Sequence, residues 1–196
     1  TNSTMNSSKP DPDSTTLPWL QVKTKYMGLG VDRLDYTKGI MERFKGVETF
    51  LDTYPDYIKQ FTFVQVAPES REVGEKNQEY NKSVTEEAER INKKFQTDDW
   101  KPIFLEKNYH SHEELNILYG LADFMLITSL HDGMNLVAKE FVAARNDEKG
   151  VVILSQFAGA SRDLTGSLIV NPYSAEEISE TIHKAITMPA EEQTRR

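Results

Sequence analysis

The sequence predicts a doubly wound α/β domain built on a parallel sheet. Three observations carry that expectation. Short apolar runs alternate with helical patterns about five times along the chain. Several of those runs are continuously apolar, as strands covered on both faces must be. The chain has 196 residues, 38% of them hydrophobic. At that length folding buries roughly 70% of the unfolded chain's surface, enough for one sizeable core.

Taken in order, residues 1–17 are rich in Ser, Thr, Asn, Asp and Pro and poor in large apolar side chains. Such a segment cannot offset its ordering entropy, so a flexible tail or linker is expected over residues 1–20 and the domain over 21–196. A start inside such a segment, without an initiating Met, is expected of a fragment of something longer. Lys25–Val31 reads as a strand, and Gly39–Thr53 as a helix with apolar residues at Ile40, Phe44, Val47, Phe50 and Leu51. Phe61–Ala67 is strand-like by its β-branched and aromatic content. Glu75–Phe95 reads as an exposed-face helix with i,i+4 pairs Glu86/Arg90 and Glu89/Lys93. Pro102–Leu105 is a short strand, followed by a helix over Ser111–Leu121 that opens with a Ser111/Glu114 capping box. Asp123–Thr128 is an apolar strand and Leu136–Arg145 a helix. Strands at Val151–Leu154 and Ser167–Val170 precede a last helix, Ser174–Thr187, with a second expected box at Ser174 and Glu177.

Composition removes several function classes. The chain has no cysteine, so disulfides, zinc thiolates, Fe–S clusters and thiol nucleophiles are all excluded. With 31 acidic and 23 basic side chains it carries a net charge of −8, against the basic face that nucleic-acid binding needs. No apolar run approaches the ~20 residues of a membrane span, so no membrane partner is expected and a soluble, cytoplasmic domain is. A small anionic ligand remains compatible, because two or three local cations outweigh a screened global charge at contact distance. His110-x-His112 is the closest approach to a metal-ligand spacing and falls in a loop, so no metal is expected. There is no G-x-S-x-G elbow and no P-loop.

Ligands of open α/β sheets bind beyond the carboxyl ends of the strands, so chemistry is expected in the loops that follow the strands. Gly28-Leu29-Gly30 lacks the third glycine of a dinucleotide fingerprint. Behind it, Arg33 and Lys38 lie between a strand end and a helix start, where two cations and a positive helix end suit a phosphate. The spacing fits equally a surface ion network of these two with Asp32 and Asp35. After the fourth strand, Asp132-Gly133 makes a turn and the amides of Asn135, Leu136 and Val137 open a helix, suiting a diphosphate. Glu140, one turn in, can accept from vicinal hydroxyls; the alternative is Asp132 as a helix cap and Glu140 simply solvated. Arg71 follows a third strand, and Ser155–Ala160 is a Gly/Ala-rich turn fit for close backbone approach.

Together, Gly30–Gly39 (GVDRLDYTKG), Gln65–Arg71 (QVAPESR), Asp132–Ala143 (DGMNLVAKEFVA) and Leu154–Ala160 (LSQFAGA) closely resemble the trehalose-6-phosphate synthase family, two-domain retaining glycosyltransferases of the GT-B type. The resemblance runs in order from about Met27 to Met188. It implies a single Rossmann-like, nucleotide-sugar-binding C-terminal lobe, with the N-terminal acceptor lobe absent as partner. It implies that Arg33 and Lys38 contact the donor's diphosphate and stabilise the departing nucleotide. Asp132, Gly133 and Met134 would hold the donor glucose, the amides of Asn135, Leu136 and Val137 the phosphate, and Glu140 the ribose. Arg71 would reach the acceptor phosphate, and the stretch Asn108–His110 the nucleobase, where the sequence departs from commoner forms. The implied reaction passes glucose from UDP-glucose to glucose 6-phosphate with retention, giving trehalose 6-phosphate and UDP, without cofactor or metal. Alternatives are a glucosylglycerol-phosphate synthase-like transferase and a non-catalytic, synthase-like regulatory domain. Alone, the half is expected to bind nucleotide, to turn over nothing, and to self-associate weakly into homo-oligomers through the face left open.

Overall fold

The computed structural model describes Leu17, residues 19–69 and residues 75–196. Its elements are β1 (Tyr26–Val31), α1 (Ile40–Thr53), β2 (Phe61–Val66), α2 (Glu75–Phe95), β3 (Ile103–Glu106) and α3 (His112–Leu121). These continue as β4 (Phe124–Ile127), α4 (Leu136–Ala144), β5 (Val151–Ser155), β6 (Leu168–Val170), α5 (Ala175–Ile186) and α6 (Ala190–Arg195). The strands form one sheet in the order β3-β2-β1-β4-β5-β6, and every neighbouring pair is parallel. This is the Rossmann-like, doubly wound order. Its direction of winding reverses between β1 and β4, so the chains leaving these two strands part and leave a crevice.

Strand periodicity divides the core into two layers. Phe61, Phe63, Phe124, Leu126 and Ile153 meet Phe44, Val47 and Phe50 of α1 and Ile178 and Ile182 of α5. Met27, Leu29, Val64, Met125 and Leu154 meet Leu118 and Tyr119 of α3 and Phe141 of α4. Both sheet faces are therefore apolar, which is why the strands read as unbroken hydrophobic runs. Gly28 belongs to this packing. A Cβ there would lie 2.5 Å from the Phe124 ring and 2.8 Å from that of Phe63.

Four sequence expectations need correction. The end of the expected tail is packed: Leu17 and Leu20 are buried in the second layer, with Trp19 against it, because they carry the apolar surface the preceding residues lack. On α2, Arg90 pairs with Glu87 and with Glu48 of α1, and Lys94 with Glu48 and Asp52. The helix lies against α1, so Arg90 and Lys94 find partners across that seam, while Glu86 pairs at i,i+4 with Lys82 instead. Ser174 caps α5 through the Glu177 amide, but the Glu177 carboxylate accepts from Asn171 N–H rather than closing the box. The short helix α6 follows Pro189 and had no apolar period to announce it. Among the described residues no helix is long and apolar enough to cross a membrane.

The first capping box does form. Ser111 Oγ accepts from Glu114 N–H at 3.2 Å, and Glu114 Oε2 accepts from Ser111 N–H at 2.8 Å. Ser111→Ala is expected to lower stability by about 1 kcal/mol, since Glu114 N–H loses its acceptor at an exposed helix end. A denaturant midpoint that does not move would contradict this.

Candidate active site

Two loops leave the sheet on either side of the crevice. The first runs from Asp32 to Gly39. Asp35 accepts from Thr37 N–H at 2.8 Å and caps a single 3₁₀ turn over Tyr36–Lys38. Gly39 ends that turn at φ 62° and starts α1, and a Cβ on it would stand 2.1 Å from the Thr128 carbonyl oxygen. Only glycine fits there. The second loop runs from Thr128 to Asn135 and is laced to the first by Leu130 N–H, which donates to Thr37 O at 2.7 Å. The turn after β5 closes against it, with Gly159 N–H on Asp132 O at 2.9 Å and Ala160 N–H on Met134 O at 2.8 Å. The close backbone approach expected of the Gly/Ala-rich turn is made at Gly159, whose Cβ would meet Gly133 O at 2.0 Å.

Across the crevice Lys38 Nζ reaches Asp132 Oδ2 at 2.7 Å. Asp132 also accepts from Met134 N–H at 3.2 Å and from Asn135 Nδ2 at 3.1 Å. Burial works against the charged form, but Lys38, the Met134 amide and Asn135 outweigh it and hold the carboxyl below the usual range. The pairing of Lys38 and Arg33 with Asp32 and Asp35 is not what forms. Asp35 is the turn cap, and Asp32 is buried against Arg43 at 2.8 Å. Arg33 is exposed and, among the described residues, has no hydrogen-bond or ion-pair partner.

Asn135, at φ 69°, caps α4 by accepting from Ala138 N–H at 3.0 Å, so the cap is Asn135 and not Asp132. Leu136 and Val137 supply the next amides, which have no carbonyl partner within a helix, and their end of α4 is its positive end. Met134 and Leu136 are exposed beside it. Glu140, one turn on, accepts from Tyr119 Oη at 3.2 Å. Burial, and then the Glu140 charge, push the Tyr119 phenol up, so it stays a donor to that carboxylate. The structure thus gathers Lys38, Asp132, Gly133, Met134 and Asn135 at one point, with Arg33 on the same loop as Lys38 and Glu140 on the helix that follows.

Two further candidates remain. Arg71 is outside the described residues. His110 packs at a tilt on Trp19 at a centroid distance of 4.4 Å, with Glu114 at 3.5 Å and Glu106 at 3.7 Å, and among the described residues no hydrogen bond or ion pair joins it to the Lys38–Asp132 cluster. Among the described residues no three His, Asp or Glu side chains stand together as a metal site.

One residue of the site went unread in the sequence. Arg43 is fully buried on α1, directly beneath the first loop. Its guanidinium meets Asp32, Gln65, Thr128 and the Lys38 carbonyl. Gly30 makes room for it, since a Cβ there would stand 2.5 Å from Arg43 Nη1. The signal was present: Arg43 falls on the same helical stripe as Ile40, Phe44 and Val47, a face where a charge needs a buried partner.

Residues 12–196 match glycosyltransferase family 20. An alpha,alpha-trehalose-phosphate synthase [UDP-forming] of Schizosaccharomyces pombe is 45% identical over 162 residues, 82% of this chain and 31% of the relative. A second from Aspergillus fumigatus is 43% identical over 173 residues, 88% of this chain and 36% of the relative. An E. coli structure with bound UDP-2-fluoro glucose superposes with a TM-score of 0.86 at 39% identity, over 88% of this chain and 39% of that one. A Burkholderia xenovorans synthase in complex with glucose-6-phosphate gives 0.86 at 38%, over 88% and 38%. The chain spans about a third of the length of the curated relatives it matches. It belongs to glycosyltransferase family 20.

Proposed function

We propose that this chain is the donor-binding half of a UDP-forming trehalose-phosphate synthase, which passes glucose from UDP-glucose to glucose 6-phosphate with retention. The observation that carries the reading is the Lys38–Asp132 pair at the switch point of the sheet, beside the positive end of α4. The diphosphate would lie between Lys38, Arg33 and the Leu136 and Val137 amides. As the bond from the sugar's anomeric carbon to the phosphate oxygen breaks, charge builds on that oxygen, and these donors stabilise it. The acceptor hydroxyl attacks from the same face, and the departing phosphate takes its proton. Asp132, with Gly133 and Met134, would hold sugar hydroxyls, and Glu140, oriented by Tyr119, the ribose. Arg71 would bind the acceptor phosphate, and His110 would border the base. The remaining acceptor contacts are assigned to an N-terminal lobe, and the reaction to the cytoplasm, with no metal or cofactor taking part. The relatives' names support this reading over a different acceptor. The intact cation and carboxylate set favours it over a non-catalytic regulatory domain.

Calorimetric titration of the chain with UDP, ADP and GDP tests it. Saturable UDP binding is expected, weakened about tenfold or more in Arg33→Ala and in Glu140→Ala, each of which removes a charge-assisted hydrogen bond to the nucleotide. Equal affinity of wild type and both variants would refute the site, and a preference for ADP or GDP would refute the donor.

A further inference from the structure

We infer that Arg43 is a positioning residue for the donor's diphosphate and acts through Lys38, an inference that rests on the donor-site reading above. Arg43 lies beneath the crevice and touches its two loops from inside the core. Its guanidinium is fully buried, and each of its nitrogens is committed. Nε donates to Thr128 Oγ1 at 3.0 Å, Nη1 to Gln65 Oε1 at 2.7 Å, and Nη2 lies 3.3 Å from Lys38 O and 2.8 Å from Asp32 Oδ2. Thr128 Oγ1 in turn donates to Gly39 O at 2.7 Å. One planar group thus holds the exits of β1 and β4, the end of β2 and the Lys38–Gly39 backbone in fixed relation.

Stability does not account for a charge at this position. Desolvating an arginine and an aspartate together is commonly no better than filling the same space with apolar side chains. The surrounding stripe of α1 is otherwise apolar, and Gly30 is left without a side chain where the guanidinium lies. What an apolar residue could not supply is a hydrogen bond to the Lys38 carbonyl. That bond, with the Thr128 link one residue on, fixes Lys38 from beneath. Its side chain is left to reach 2.7 Å across the crevice to Asp132. Because Asp32 offsets the charge of Arg43, the contribution to the site is one of geometry. A lysine keeps the charge but cannot reproduce the fork of donors.

The test is calorimetry of UDP and UMP on the 196-residue chain, as wild type, Arg43→Lys, Lys38→Ala and the double variant. UDP carries the phosphate that Lys38 is assigned to hold; UMP lacks it. Arg43→Lys is expected to weaken UDP about tenfold while shifting UMP less than about twofold. On the Lys38→Ala background it is expected to cause no further loss beyond about twofold, because the two substitutions remove one interaction. A merely structural role would weaken both nucleotides alike, or add a full further loss to Lys38→Ala; either result overturns the inference. If Arg43→Lys does not fold, Thr128→Val cuts the same clamp, and UDP must again weaken while UMP does not. Wild type that binds neither nucleotide overturns the donor-site reading and this inference with it. Wild type that binds UDP, with losses unrelated to Lys38, overturns this inference alone.

Discussion

Gly39→Ala is expected to cost about 2–5 kcal/mol of stability and to abolish nucleotide binding in whatever fraction still folds. Two effects add. A side chain at φ 62° pays the left-handed penalty, about 1–2 kcal/mol. Its Cβ would also stand 2.1 Å from the Thr128 carbonyl oxygen, so the two loops must separate. Relief of that clash moves the neighbouring Lys38 away from Asp132, which is why stability and binding fall together. Urea denaturation and a UDP titration on the same preparation check it. Stability within about 1 kcal/mol of wild type would show that the loops yield without strain.

Arg43→Met is expected to destabilise by about 3–5 kcal/mol near neutral pH, because it strands the Asp32 carboxylate in the core. The sign of the pH dependence follows from the same residue. Burial pushes the Asp32 carboxyl up, and the Arg43 guanidinium opposes that rise. An acid whose folded pKa lies above its unfolded value binds more protons folded than unfolded between the two. Its contribution to stability therefore falls as pH rises through that window. Without Arg43 the folded pKa climbs further and the window widens upward. The deficit of Arg43→Met relative to wild type is therefore smaller near about pH 5 than near about pH 7. Adding Asp32→Asn removes the titrating group and flattens that difference. Denaturant melts of the three proteins across this range measure it, and a deficit constant with pH would disprove the assignment to Asp32.

Both experiments concern tertiary contacts that no local periodicity sets, and there the sequence is least informative. The alternation of apolar runs identified the strands and most helices within a residue or two, because each is set by local periodicity. Glu75–Phe95 is the helix expected from residue to residue, yet its ion pairs were misassigned. Spacing along one helix says nothing about a carboxylate such as Glu48 on a neighbouring helix. The same reason explains Lys38. The acidic residues offered by its own loop are Asp35 and Asp32, while the residue it meets is Asp132, 94 positions away.

The sequence by itself determined the fold class, the family resemblance and the loops in which chemistry is concentrated. Those follow from periodicity and from strings of residues contiguous in the chain. Only the tertiary structure decided that Asn135 rather than Asp132 caps α4, that Lys38 pairs across the crevice, and that the glycines of β1 serve Phe124 and Arg43. Each of these depends on which strands are neighbours. A buried charge such as Arg43 must find its partners wherever the sheet order β2-β1-β4 brings them, and here they come from Gln65, Asp32 and Thr128.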